Sequence, residues 1–276
     1  MKDYLIKNYD VNSIIPIIDE LPLWSAHFGI KLLEVIKMKP GMNVLDIASG
    51  LGFPAIEIAM RLGDSCKVWG VEPWKEARER ANEKIISLGL KNIEIIDGVA
   101  EKLLFENDLF DLVVSNNGIN NVQDIPKSFS EIHRASKTGC QFVFTMNLDG
   151  SMHEFYSVFH DVLLKRGMDN EIQKMKEQIY EKRKPIIEIE KWLNETGFYI
   201  NNIITDNFKM RYLNGTAMLN HFLIQIGFIE SWLKILPEDK VNAIFSEIEE
   251  RLNIIAEEEG EIVMTIPYST FDCFKI

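Results

Sequence analysis

Cysteine is scarce in this 276-residue chain. Cys66, Cys140 and Cys273 stand alone, without the paired spacing of a zinc ribbon or a disulfide framework. That usage suits a reducing, cytoplasmic setting. Long apolar runs are missing as well: none reaches the ~20 residues a membrane helix needs, so no membrane role is expected. The opening Met1-Lys2-Asp3-Tyr4 has charge but no apolar signal core, which argues against secretion. Basic residues are the minority, 30 against 42 acids for a net charge of −12, and phosphate backbones are gripped by clustered positive charge. Nucleic acid is therefore not an expected partner. There is no Ser/Gly-rich linker, low-complexity tract or internal repeat, and no metal-ligand spacing, so no metal is expected. What the chain does have is 46% apolar and 10% aromatic residues, enough for a full core. Its length fits one α/β domain of roughly 150–200 residues plus an appended or inserted element.

From residue 43 onward, short β-branched runs alternate with longer amphipathic segments. The runs are Asn43 to Ile47, Lys67 to Glu72, Asn92 to Ile96, Phe110 to Ser115 and Gln141 to Met146. Between them the pattern predicts helices over Pro54–Leu62, Trp74–Leu88 and Ile125–Ala135. Strand–helix alternation at this spacing means crossover connections, hence a doubly wound, mostly parallel α/β sheet. Near-continuous apolar strands such as Leu112-Val113-Val114 agree, because parallel strands are covered on both faces. After residue 150 the pattern changes. Residues 152–182 read as helical, Ile186–Thr196 as another helix, and Phe198–Leu213 as a long strand. Two helices follow, at about 215–235 and 238–258, and a last strand starts at Glu261. This organisation predicts an N-terminal helical segment over 1–40, a core over 41–150, and residues 151–276 as the rest of the same domain with an inserted helical cap at about 214–258.

The informative stretch is Val44-Leu45-Asp46-Ile47-Ala48-Ser49-Gly50-Leu51-Gly52-Phe53-Pro54-Ala55, in which a strand enters a glycine-bearing turn and a helix leaves it. Glycines let the backbone approach a ligand closely, and a helix N-terminus offers unpaired N–H donors. Gly50-Leu51-Gly52-Phe53-Pro54-Ala55 satisfies the dinucleotide fingerprint, with Glu72 about twenty residues on, so an NAD-linked oxidoreductase is one alternative. Asp46 weighs against it. A carboxylate at the strand end would repel a pyrophosphate and suits a cationic ligand, one with an ammonium and a sulfonium.

These residues resemble the class I S-adenosylmethionine-dependent methyltransferases, in the small-molecule branch that includes the quinone-biosynthesis methyltransferases. Asp46-Ile47-Ala48-Ser49-Gly50-Leu51-Gly52 looks like the first motif, with Ala48 replacing a glycine, and Glu72 in Val71-Glu72-Pro73-Trp74 like the second. Gly98-Val99-Ala100-Glu101 and Phe110-Asp111-Leu112-Val113-Val114-Ser115 look like the third and fourth. The resemblance covers about residues 40–150. It implies a Rossmann-like seven-stranded sheet whose final strand runs antiparallel, and S-adenosyl-L-methionine as cofactor. It places Asp46 and the backbone of Ala48, Ser49, Gly50 and Gly52 at the methionine end, and Glu72 on both ribose hydroxyls. Pro73 and Trp74 would pack on the adenine, with Val99 and Ala100 at its edge and Ser115 and Asn116 nearby. Val99 stands where relatives commonly have Asp, and Asp97 comes two places early.

Around this core lie candidates for substrate and chemistry. Ser115-Asn116-Asn117-Gly118-Ile119-Asn120-Asn121 follows strand four, at the carboxyl edge where open α/β sheets place ligands. The amides of Asn116 and Asn117 can orient a hydroxyl or amine without deprotonating it. Trp24 and His27 could form a flap. His153, Tyr156 and His160 share one helical face, and a histidine near neutrality suits a general base. His133 is read as structural, and Lys182-Arg183-Lys184 as a solvated basic turn in preference to a partner for an anion. Residues 217–233 are apolar nearly all round, so a helix there is buried on more than one side. His221 and Phe222 would then line a substrate pocket, or the segment would form a homodimer seam. The expected function is methyl transfer to a small, partly apolar molecule; the alternative to both enzyme readings is a non-catalytic cofactor- or partner-binding protein.

Overall fold

The computed structural model describes Leu5 and residues 24–276; the rest of the expected 1–40 segment, residues 1–4 and 6–23, lies outside the described residues. In chain order the elements are α1 (Trp24–Val35), β1 (Asn43–Ile47), α2 (Ala55–Leu62), β2 (Lys67–Val71), α3 (Lys75–Ser87), β3 (Ile93–Ile96), β4 (Phe110–Asn116), α4 (Ile125–Ala135), β5 (Ser136–Asn147), α5 (His153–Lys165), α6 (Asp169–Lys182), α7 (Ile186–Glu195), β6 (Phe198–Tyr212), α8 (Gly215–Asn220), α9 (Val241–Glu259) and β7 (Ile262–Lys275). They divide into two compact units. The helical unit takes in 148–183 as well as 207–267, more of the chain than the expected insertion.

Of the described residues, the sheet unit holds 24–147, 184–206 and 268–276. Seven strands are ordered β3-β2-β1-β4-β5-β7-β6. β1 pairs in parallel with β2 and β4, as do β2 with β3 and β4 with β5, whereas β5 and β7 are antiparallel. Side-chain bonds from Asn201 to Asp272 and between Thr205 and Ser269 descend along β7 as they climb β6, so that pair is antiparallel too. The expected mixed, mostly parallel architecture is the observed one. Successive residues on a strand face opposite sides. Leu45 and Ile47 of β1, Phe110 and Val113 of β4, and Phe142 and Phe144 of β5 enter one apolar layer. Val44, Leu112, Val114 and Val143 enter the other. Both faces are therefore dry, which is why these strands read as continuous apolar runs. On the first face the Phe144 ring stacks on Phe271 at 4.6 Å and on Phe142 at 4.8 Å. α1 packs on β4 and β5, and Gln141 secures it by accepting from the Lys37 N–H at 2.8 Å while donating to Asp272.

In the helical unit, the expected helical run 152–182 is two helices, parted by a turn in which Gly167 adopts φ +64°. The single helix expected at 215–235 is broken further. After α8, His221 is extended, and Phe222–Ile224, a π-helical stretch Gln225–Ile229 and Glu230–Leu233 follow. One local and one tertiary contact accompany the interruption. The Gln225 amide donates to the Leu219 carbonyl, and Trp232 is fully buried, stacked on Phe155 at 3.9 Å. α9 buries Ile244, Phe245, Ile248, Leu252 and Ala256 and leaves Ile254 and Ile255 exposed. Gly215 lets α8 close on α9, since a Cβ there would collide with Leu252.

Candidate functional site

The parallel half of the sheet changes winding direction between β1 and β4, and ligands in such sheets bind at the carboxyl edge of that switch point. A cavity of about 660 Å³ lies there, within the range of small-molecule sites. The ends of β1 (Ala48, Gly50), β2 (Val71 to Trp74) and β4 (Asn116 to Gly118) line it, with Gly98 to Glu101, Asn121 to Gln123, and Trp24 and Ser25 of α1.

Its floor is the turn after β1. Ala48 holds a left-handed φ of +56° and Gly50 one of +52°. A Cβ built on Gly50 would meet no atom within 4 Å, so the backbone here borders open space. Ala48 is accommodated because Gly118 faces it: a Cβ on Gly118 would sit 2.8 Å from the Ala48 methyl. Beneath the turn, Asp46 is fully buried and outside the cavity lining. One carboxylate oxygen accepts from the Ala55 N–H at 3.2 Å, at the start of α2; the other has no partner. Burial pushes its carboxyl well above the usual range; the Ala55 amide opposes the rise and the neighbouring Glu72 charge adds to it. Ser49 and Gly52 also lie outside the lining, and the Ser49 hydroxyl is buried without a partner.

Glu72 forms the wall. Only 8% exposed, it accepts from the Gly50 N–H at 2.8 Å through one oxygen and from the Trp74 N–H at 3.0 Å through the other. The turn beyond it is braced by Arg78, whose guanidinium donates to the carbonyls of Glu72 (2.8 Å) and Pro73 (2.7 Å) and pairs with Asp97 at 2.8 Å. The early acid Asp97 thus serves this brace, while Val99, at 44% exposed, lines the cavity itself. Glu101 also lines it, and accepts from the N–H groups of Gln123 (2.6 Å) and Asp124 (3.2 Å). That fixes the loop after β4.

The asparagines form a connected network. Asn116 accepts from the Thr145 hydroxyl at 3.1 Å and donates to the Ser25 carbonyl at 2.9 Å, which ties α1 to the end of β4. Asn117, at φ +54°, donates its N–H to Thr145 and accepts from the Asn147 N–H at 3.0 Å. Ser115 is buried and donates to the Ile47 carbonyl, outside the lining.

The cavity therefore brings together Trp24, Ala48, Gly50, Glu72, Pro73, Trp74, Val99, Ala100, Asn116 and Asn117. His27 is exposed on α1 and does not line it. His153, His221 and Phe222 belong to the helical unit. There His153 is exposed beside Glu154, and His221 packs edge-on to Tyr212, its imidazole pKa lowered by burial. His133 is structural: its ring meets Phe198 edge-on at 5.4 Å and fills the space over Gly197. Sequence reasoning missed Ser25, Glu101, Asn121 and Gln123 as lining residues; Glu101, two places after Val99, was the one with a chemical signal. Among the described residues no group of three or more His, Cys, Asp or Glu could hold a metal.

Comparison with known proteins agrees with this geometry. The model of a methyltransferase domain matches residues 38–204, more than half of the chain. A demethylmenaquinone methyltransferase of Bacillus mycoides (strain KBAB4) is 31% identical over 107 residues, 39% of this chain and 45% of that protein. The chain thus spans about half the length of the curated relatives it matches. Among solved structures, the YcgJ protein of Bacillus subtilis matches with a TM-score of 0.60 at 18% identity, over 91% of this chain and 98% of that one. Haemonchus contortus phosphoethanolamine N-methyltransferase 2 in complex with S-adenosyl-L-methionine matches with a TM-score of 0.54 at 22% identity, over 91% and 52%. These two likenesses show the fold. The family model, which matches more than half of the chain, shows that the chain belongs to the methyltransferase-domain family.

Proposed function

We propose that the protein transfers a methyl group from S-adenosyl-L-methionine to a small, partly apolar molecule. The observation that carries this reading is Glu72, a nearly buried carboxylate held by two backbone amides at the wall of the switch-point cavity. Each of its oxygens keeps a lone pair beyond the one used, which suits a pair of vicinal hydroxyls. The rest of the site fits the cofactor as well. Gly50 borders open space, and Asp46, buried beneath the turn, keeps one carboxyl oxygen unpartnered. When bound, the cofactor supplies an electrophilic methyl on a sulfonium, which a substrate nucleophile attacks in line. Asn116 and Asn117 present amides that orient a polar substrate group. Trp24 and Trp74 cover apolar surface and exclude water. Such positioning, in well-oriented intramolecular reactions, is worth roughly 7–11 kcal/mol of barrier. The small-molecule assignment rests on the size of the cavity and on the net charge of −12, which opposes polyanions.

Calorimetry against S-adenosylmethionine, its demethylated product and NAD tests the cofactor. The first two should bind and NAD should not. Glu72→Ala should weaken binding about 10- to 150-fold, the equivalent of roughly 1.5–3 kcal/mol for lost hydrogen bonds to a charged group. Equal affinity of Glu72→Ala and parent, or selective binding of NAD, would contradict the reading. A radiolabelled-methyl screen of metabolites then identifies the substrate.

A further inference from the structure

Lys182-Arg183-Lys184 reads in sequence as a solvated basic turn, and for its middle residue the structure overturns that. Lys182 is exposed, but Arg183, at the C-terminus of α6, is only 3% exposed. Its environment lies within the helical unit. One terminal nitrogen reaches the Tyr156 hydroxyl at 3.5 Å, at the limit of a hydrogen bond, and the guanidinium lies 5.5 Å from the Tyr156 ring centroid. Nε is buried with no partner. The Tyr156 hydroxyl has little left to give. It donates to Gln178 and accepts from the Trp232 indole, each at 3.0 Å. Gln178 in turn donates to Ser231.

Three other shielded cations among the described residues are matched by acids. Arg78 has Asp97, Arg134 has Glu131, and Lys275, 11% exposed, has Asp108. Arg183 is more buried than any of them, and among the described residues it has no carboxylate within 4.0 Å. A guanidinium cannot shed its charge as a lysine can, and it carries five N–H donors in a planar fork. Burying that fork with one long contact is costly unless an anion completes it.

We infer that Arg183 is the anchor of an anion site in the helical unit, and that its ligand is a carboxylate carried on an aromatic or apolar body. The fork matches a carboxylate in bidentate fashion. The body follows from the neighbours: Tyr156 against the guanidinium, and Trp232 with the stacked Phe155 beyond the shared hydroxyl. At 3% exposure the side chains over the guanidinium must move aside to admit the ligand, so occupancy and local ordering rise together.

Thermal unfolding of the full chain tests this with benzoate as the probe, and with inorganic phosphate and neutral benzyl alcohol beside it at matched ionic strength. The expected result is a saturable rise in Tm of several degrees with benzoate at about 10 mM, absent with benzyl alcohol, as linkage to a native-state site requires. Arg183→Met should abolish the rise and be at least as stable as the parent without ligand, because it removes an unpaired buried charge. Arg183→Lys should retain part of the rise. No effect of benzoate on the parent, an equal rise with benzyl alcohol, or an undiminished rise in Arg183→Met each overturns the proposal, and a rise with phosphate alone overturns the assigned ligand class. The first two need no variant to fold.

Discussion

Arg78 is the residue on which the direction of Glu72 depends, although it does not itself line the cavity. It bonds to main-chain carbonyls, Glu72 and Pro73, and so holds the turn that presents the carboxylate. Replacing Arg78 by Ala should weaken binding of the demethylated cofactor about 5- to 12-fold, the equivalent of ~1–1.5 kcal/mol. Arg78→Lys should restore part of it, since both carbonyls are bound by a single terminal nitrogen whose place an ammonium can take in part. Calorimetry on both variants, with KM for the cofactor rising while kcat holds, would separate this positioning role from general destabilisation. Arg78 was invisible in the sequence because its partners are backbone groups that every residue possesses. The glycine turn, Glu72 and Trp74 were legible because close approach, a strand-end carboxylate and an aromatic each leave a chemical trace. Ala48 in the first motif became intelligible only with Gly118 opposite it, a pairing across seventy residues that no local pattern encodes.

Between elements, the contact most open to titration joins α5 and α9. Glu247 on α9 takes Lys165 at 3.1 Å, Arg166 at 2.8 Å and its own helix's Arg251 at 3.0 Å. Hydrogen bonding from Arg166, then Lys165 and Arg251, lowers its carboxyl to about 2 against a partial cost of burial. A depressed acid stabilises the fold above its ordinary pKa of 4.5 and loses that contribution as pH falls toward 2. Glu247→Gln should therefore be less stable than the parent at neutral pH by about 1 kcal/mol, the scale of a partly exposed ion-pair cluster. The difference should vanish by about pH 2, and urea unfolding of both proteins across that range measures it. At this scale the five parallel strands were readable to within a few residues, because two dry faces demand an uninterrupted apolar run. The helix expected at 215–235 was not. Its breaks at His221 and Gln225 arise where side chains bond back to the main chain and Trp232 seats on Phe155, while apolar content stays uniform along the segment.

For the whole molecule, charge is the feature that sequence states most plainly. Nine acids against two bases from Glu238 to Glu261 add to the net of −12. The protein should show no binding to duplex DNA or RNA by fluorescence anisotropy at low salt, where electrostatic association is strongest. The division into two units was not foreseen, because no linker separates them: β6 and β7 are single strands whose residues fall on both sides of the boundary. Among the described residues no helix is long and apolar enough to cross a membrane. The strand order β5-β7-β6 also sets a schedule on the ribosome. β5, with Phe142, Phe144 and Met146 fully buried in the finished sheet, is synthesised long before the β7 residues that flank it. At ~5–20 residues per second, its open edge waits several seconds for that neighbour. During that interval it is a free hydrogen-bonding template of the kind that recruits foreign strands. A nascent chain of this topology is thus exposed to misassembly at one known place, and a chaperone that shields β5 would act where the risk is concentrated.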